Sequence, residues 1–356
     1  MEDIYSNKKI HYHLNHLLAI KNGKQPFPVR MQLLPTNKCN SNCTFCAYRL
    51  PKSLNTQRFN VKDSLPLPIL IETLVDFKEC GGRATEISGG GEPLLYEYRD
   101  EMFKTIIELG LNYALITNGT LLSKELSKLI APNISWCRVS IDAANAKTYA
   151  TVKRTPEKYF HKAIKGISYL KKYAKNKEFR LGAGFVVCNE NYTEIYDFCK
   201  LMYNEGIDLV RLGLVFHPDK EAYFNPNVIK VSSELAMKAE QDFGSKLKIY
   251  NMIKERLNNI YSDHQTYSYC AMKDLGIVVG ANAEIYTCCI LAYNSLGLIG
   301  NLKMKTLKEI WNSKEKKAMY KNFNPIEKCK YMCLYEFKNK YVYDLLFNSP
   351  IHKDFL

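Results

Sequence analysis

The sequence has no run approaching the roughly 18 apolar residues a membrane helix needs, so no helical membrane span is expected. Its first residues, MEDIYSNKKIHYHLNHLL, have neither an unbroken apolar stretch nor a small-residue cleavage site. That excludes the pattern of a signal peptide and leads to the expectation of a soluble, cytoplasmic protein with no membrane partner. Internal repeats and low-complexity linkers are also missing. Acidic residues are the minority, 36 against 50 Lys and Arg, for a net charge of +14. Such a field attracts anions: nucleic acid, an anionic surface, or a phosphorylated or nucleotide-linked metabolite. The plainer reading is a lysine-rich surface. The basic residues lack the aromatic interleaving of a nucleic-acid module, so nucleic acid is not an expected partner.

What is present is enough apolar residue, 46% of 356, for one large core or a large core with a smaller domain. Twelve cysteines could form a disulfide framework only in an oxidising compartment, and usually in a much shorter chain. In a reducing cytosol, clustered cysteines mean metal or catalysis.

From about 31 to 216, short β-branched runs alternate with helical patterns, the signature of repeated βα units around a parallel sheet. Six strands are predicted, at 31–36, 84–88, 113–117, 136–141, 180–187 and 209–216, with helices between them. Their C-terminal ends run into Thr36-Asn37-Lys38-Cys39, Ser88-Gly89-Gly90-Gly91-Glu92, Thr117-Asn118-Gly119, and Ser140 with Asp142. Loops after strand C-termini form the active face of such sheets, so these motifs belong on one rim. The predicted division is an N-terminal helical extension over 1–30, the βα region over 31–230, a connecting helix over 231–260, a cysteine-bearing domain over 261–345 packed on the βα region, and a tail over 346–356.

Cys39-x3-Cys43-x2-Cys46 follows the first strand in a polar loop. Three close thiolates can ligate three irons of a cubane and leave the fourth iron open. A structural zinc ion needs a fourth ligand, and His11 and Cys80 are not close in sequence. With Phe45 before the last cysteine, the segment resembles the CxxxCxΦC signature of the radical S-adenosylmethionine (SAM) superfamily. The resemblance implies a partial (β/α)6 TIM-type barrel in which the open iron of a [4Fe-4S] cluster binds SAM. Reduction then yields methionine and a 5′-deoxyadenosyl radical. It also implies cofactor contacts: Phe45 near the adenine, Gly89, Gly90, Gly91 and Glu92 as the family's GGEP element at the methionine end, Ser140 and Asp142 on the ribose, and Arg154 on the methionine carboxylate. Each has a plainer alternative: core packing for Phe45, a local cap for Glu92, helix capping by Asp142 or Asn145, and a solvated helix end for Arg154.

Behind the βα region, Cys270, Cys288, Cys289, Cys329 and Cys333 flank a predicted β-hairpin with its turn at Gly280-Ala281-Asn282. Four of these thiolates can close a cubane or a zinc tetrahedron. The segment resembles the twitch/SPASM-like domain, a small β-hairpin-plus-helix unit. That resemblance implies one auxiliary [4Fe-4S] cluster on Cys270, Cys288, Cys329 and Cys333, with Cys289 as an alternative to Cys288. Cys80, Cys137, Cys188 and Cys199 fall in helix or strand patterns and are expected to be buried apolar residues.

Within the superfamily, one auxiliary cluster resembles the 2-deoxy-scyllo-inosamine dehydrogenase type. By that likeness the expected reaction is oxidation or epimerisation of a sugar, cyclitol or aminosugar, with electrons from a donor such as flavodoxin or ferredoxin. An anionic carbohydrate would suit the basic charge, and Arg211 and His217 are candidate substrate contacts. The runner-up is a peptide- or protein-modifying maturase, disfavoured because only 38 residues precede Cys39. A non-enzymatic zinc or nucleic-acid binding protein is the remote third.

Overall fold

The structure, a computed structural model, describes residues 4–51, 53–215, 226–253, 265–329 and 333–348. Its first helix, α1 (Leu14–Lys21), follows a 3-10 turn over Asn7–His13. The βα series then begins: β1 (Arg30–Leu33), α2 (Leu67–Glu79), β2 (Ala84–Ile87), α3 (Arg99–Glu108), β3 (Asn112–Thr117), α4 (Lys124–Ile130) and β4 (Trp136–Ser140). It continues with α5 (Ala146–Lys153), α6 (Lys158–Tyr173), β5 (Arg180–Val187), α7 (Ile195–Asn204), β6 (Leu209–Leu214), α8 (Pro226–Phe243) and β7 (Lys248–Asn251). Neighbouring strands from β1 to β7 pair in parallel, as helical crossovers dictate.

Local chemistry sets the element ends. Ser123 and Asn145 accept from the backbone of Leu126 and Thr148, capping α4 and α5; Asn145 takes the capping role foreseen for it. Gly81, Gly110 and Gly206 follow α2, α3 and α7 with φ of 96°, 60° and 63°, the left-handed turn a side chain resists. Helix α6 buries Phe160, Ala163, Ile167 and Leu170, one stripe at helical spacing, against the sheet. Cys137, Cys188 and Cys199 are buried, while Cys80 is half-buried at the C-cap of α2.

Two differences from the sequence reading bear on the site. The stretch expected as one helix over 231–260 holds α8, which ends at Phe243, and then β7; Gly244, which donates its N–H to the Glu240 carbonyl, marks the break. Four-residue KIYN is too short to show strand alternation. The C-terminal hairpin, meanwhile, is not a separate layer. Strand β8 (Gly276–Val279) pairs in parallel with β1, and β9 (Glu284–Tyr286) and β10 (Leu298–Asn301) extend the sheet antiparallel. The result is one ten-stranded sheet in the order β10-β9-β8-β1-β2-β3-β4-β5-β6-β7. Its hairpin turns where expected, with Gly280 donating to the Glu284 carbonyl at 2.8 Å.

Candidate active site

The cysteine loop leaves β1 and is held from several sides. The last turn of α5 has carbonyls without helical donors; Asn42 and Thr44 donate their N–H groups to the carbonyls of Lys153 and Val152, both at 2.9 Å. On another side, Gly91 donates to the Thr36 carbonyl at 3.2 Å and Glu92 to that of Lys38 at 2.9 Å. A Cβ on Gly91 would lie 2.1 Å from the Lys38 carbonyl oxygen, and one on Gly90 2.4 Å from Asn37 Oδ1, so the close approach requires glycine. Arg49 donates to the Ser41 carbonyl at 2.8 Å. Asn118, at the end of β3, donates to Asn40 Oδ1 at 2.7 Å.

Burial pushes the Cys39 thiol up to about 11 and raises Cys43 and Cys46 as well, against the pull of Lys153 on Cys43 and of Arg49 on Cys46. Thiols so placed keep their protons at neutral pH unless a metal displaces them. The Ser41 N–H already points to Cys39 Sγ at 3.4 Å, the kind of contact that tunes a ligating sulfur. Three such thiols on one tightly held loop fit a [4Fe-4S] cluster with an open iron.

The predicted SAM contacts fare differently. Asp142 does not stand free for a ribose. It is fully buried with φ of 59°, bonded to the Lys153 ammonium and accepting from the Val186 N–H at 2.6 Å. Arg154 is exposed in the left-handed cap of α5, so it is its neighbour Lys153 that turns inward, 5.4 Å from the Phe45 ring centroid. Sequence alone could not separate two adjacent cations at a helix end. Glu92 is a cap: its carboxylate accepts from Leu94 N–H at 3.1 Å, Thr117 hydroxyl at 2.5 Å and Asn118 N–H at 2.7 Å. Phe45 packs against the main core under Lys153. Gly89 opens toward the chamber described next, and Ser140 is half-buried at the end of β4.

Inside the sheet lies a chamber of about 1220 Å³. Ala47 and Tyr48, just past Cys46, form one wall, and Cys289, Ile290 and Tyr335 form another. Arg30, Glu86, Arg138 and Arg211 project from strands β1, β2, β4 and β6, and residues 4–9 of the N-terminal segment also line it. Arg30 donates to Tyr335 hydroxyl at 2.9 Å and reaches Glu86 at 3.5 Å. Arg211 thus lies in the chamber; His217 lies outside the described residues. The contribution of the N-terminal segment had no sequence signal.

A second, smaller pocket is bordered by Cys270, Cys288, Cys329 and Cys333 together, while Cys289 faces the chamber with its sulfur 3.8 Å from the Tyr335 hydroxyl. The backbone therefore separates the neighbours: Cys288 joins the group of four. Burial raises all four thiols; neighbouring cysteines add to it at Cys288, Cys329 and Cys333, and Asp274 adds to it at Cys270. Tyr335 N–H donates to Cys333 Sγ at 3.3 Å. A zinc ion needs its sulfurs about 2.3 Å from one point. Among the described residues no three His, Cys, Asp or Glu are grouped to hold a metal ion; a cubane, taking one thiolate per iron, does not require that.

Residues 33–202 match the radical SAM superfamily, and residues 270–334 match SPASM, an iron–sulfur cluster-binding domain. An AdoMet-dependent heme synthase of Methanosarcina barkeri (strain Fusaro / DSM 804) is 31% identical over 138 residues, 38% of this chain and 37% of that protein. The chain spans 37–50% of the length of the first curated relatives it matches. Among solved structures, Streptococcus suis SuiB bound to precursor peptide SuiA aligns with a TM-score of 0.64 at 17% identity, covering 91% of this chain and 74% of that one. Native anSMEcpe with bound AdoMet aligns with a TM-score of 0.63 at 18% identity, covering 88% of each. With the cysteine loop on the end of β1, these matches define the class: the chain carries a radical SAM domain, which binds a [4Fe-4S] cluster and SAM. Residues 270–334 add, more particularly, a SPASM-type iron–sulfur domain whose strands β8, β9 and β10 extend that same sheet.

Proposed function

We propose that this protein is a radical SAM enzyme that takes a hydrogen atom from a small polar substrate in the chamber, oxidising or epimerising a sugar, cyclitol or aminosugar. One observation carries the reading: a single chamber borders both cysteine sites, with Ala47 and Tyr48 beside Cys46 on one side and Cys289 beside Cys288 on the other. When bound, SAM and the cluster on Cys39, Cys43 and Cys46 supply a 5′-deoxyadenosyl radical, and a cluster on Cys270, Cys288, Cys329 and Cys333 supplies an acceptor for the second electron. The chain's own groups do the rest. Gly89 brings backbone close to the bound molecules; Gln32 and Ser88, hydrogen-bonded to each other at 3.2 Å, line the same space with an amide and a hydroxyl suited to sugar hydroxyls. The sheet and the N-terminal segment keep water from a reactive carbon. A flavodoxin- or ferredoxin-like donor and a cytoplasmic setting, where thiols stay reduced, complete the reading.

The test is anaerobic reconstitution with SAM and a chemical reductant, followed by a panel of sugars and cyclitols. A true substrate yields 5′-deoxyadenosine in proportion to ketone or epimer. The rival reading, suggested by SuiB bound to its precursor peptide, predicts turnover with peptides instead. Uncoupled SAM cleavage with every carbohydrate would reject the carbohydrate reading.

A further inference from the structure

The chamber wall at β4, β5 and β6 is built in an unusual way. The β5 positions beside Arg138 and Arg211 are glycines: Gly182 pairs with Arg138 and Gly184 with Arg211. The Arg138 side chain lies over the bare Gly184 position, its Cδ and Nε 3.6 and 3.8 Å from where a Cβ would be. Arg211 Nη1 lies likewise 3.5 Å from a Cβ position on Gly213. Two guanidinium side chains from strands on either side of β5 therefore each lie over a glycine, Gly184 and Gly213, while the Leu209 side chain covers Gly182.

Among the described residues, Tyr5 of the N-terminal segment reaches both arginines. Arg138 Nη1 donates to Tyr5 hydroxyl at 2.9 Å, the Arg211 guanidinium is 5.9 Å from the Tyr5 ring centroid, and the Tyr5 ring meets Tyr250 edge-on at 4.8 Å. A guanidinium offers five N–H donors in a fork that matches an oxyanion. Among the described residues the only hydrogen-bond partner of Arg138 is this neutral phenol, and removing a cation from water calls for a charged partner. Two carboxylates, Glu86 and Asp142, act on Arg138 through space, but neither is hydrogen-bonded to it: Glu86 is engaged by Arg30 and Asp142 by Lys153. Lys8 and Lys248 add further positive charge to the lining, against Glu86 and Glu240.

We propose that Arg138 and Arg211 form an oxyanion subsite that takes the phosphate or carboxylate of an acidic substrate, with the Tyr5 phenol as the group that yields the place. The inference rests on the chamber being the substrate site and adds the substrate's chemical class. It makes residues 4–9 a closing segment whose anchor is exchanged for the substrate's own acid.

Titration calorimetry of the reconstituted protein with SAM, using pyrophosphate and inorganic phosphate in one arm and succinate and acetate in the other, tests it. Binding in one arm is expected, and the arm identifies the acid. R138Q and R211Q are each expected to weaken that binding at least about tenfold, the scale of losing one charge-assisted contact, at unchanged iron content. Y5F, which frees Arg138 of the phenol, is expected to bind the anion at least as tightly as the native protein. If either glutamine variant fails to take up iron, R138K or R211K replaces it. Lysine keeps the charge but loses the fork, for an expected loss of about threefold or more. No binding in either arm, or undiminished binding in either arginine variant, overturns the subsite. SAM cleavage measured on the same samples separates the two readings: cleavage without anion binding leaves the radical reading intact, and anion binding without cleavage leaves only the subsite.

Discussion

The buried pair of Asp142 and Lys153 makes a sharp prediction, because it joins core stability to the cysteine loop. Both side chains are almost wholly enclosed, at 1% and 2% exposure. Burial works to lower the Lys153 pKa, but the Asp142 carboxylate, with Cys43 and Tyr149 adding to it, outweighs burial, so Lys153 holds its proton more tightly than an ordinary lysine does. In D142N the ammonium would lose its hydrogen-bonded carboxylate and keep the ring faces of Phe45 and Tyr149, at 5.4 and 6.0 Å. Removing one partner of a buried pair costs roughly 3–5 kcal/mol, whereas replacing both with apolar residues is often neutral. At roughly 2 °C per kcal/mol for a domain of this size, D142N should lower the melting temperature of the apo-protein by about 6–10 °C. D142L/K153M should recover most of that loss. Because the carbonyls of Val152 and Lys153 hold Thr44 and Asn42, D142N should also reconstitute with less iron at the first site. Differential scanning fluorimetry and an iron count on the same preparations would decide. A loss under about 1 kcal/mol in D142N, or a double variant no better than the single one, would refute the reasoning.

Two further predictions concern the C-terminal region. The native protein should carry about eight irons per chain, two cubanes; C288A should fall to about four, and C289A should stay near eight, because Cys288 joins the pocket of four cysteines and Cys289 faces the chamber. Equal losses in both variants would reject that assignment. Lys316 is buried against Trp311, its ammonium 3.4 Å from the ring centroid, and burial brings its pKa down from 10.5 to about 7, with Lys273 and Lys317 adding and Asp274 opposing. Between about 7 and 10 the unfolded chain then binds a proton the folded chain has lost, so stability rises with pH. The melting temperature of native protein minus that of K316M should therefore rise across this window. A flat difference would show that Lys316 keeps its proton in the fold.

How much of this was legible depended on whether the signal was local. Strand runs such as RLGAGFVV, buried on both faces, announce a parallel sheet because composition alone carries the pattern. Cys39, Cys43 and Cys46 announce their chemistry because all three ligands fit in one loop. What failed was choice between neighbours. Arg154 and Lys153 are both cations at the end of α5, and only the left-handed residue that ends the helix decides that Lys153 turns inward. Asp142 at a strand end looks like a ribose ligand until the distant Lys153 claims it. β7 was hidden in a helical pattern whose one stop signal was Gly244. Tyr5 in the chamber had no local signal at all.

The same neighbour problem explains how the C-terminal segment serves two places at once. Strand β8 pairs with β1, the strand that delivers the cysteine loop, so the hairpin is fixed in register with the first site. Past β9, Cys288 borders the cysteine pocket, and the next residue, Cys289, borders the chamber. Tyr293 then ties this turn to the start of the first loop, donating its hydroxyl to Asn37 Oδ1 at 2.6 Å and accepting from the Ala281 N–H at 3.0 Å. Its ring also meets Tyr48 and Phe59, at centroid distances of 5.8 and 5.2 Å. A hairpin packed as an independent layer would leave the spacing between the two cysteine sites to loop flexibility. Sharing the sheet instead fixes that spacing by strand hydrogen bonds, and Leu54, Ile290 and Tyr335 border both the chamber and the pocket of four cysteines.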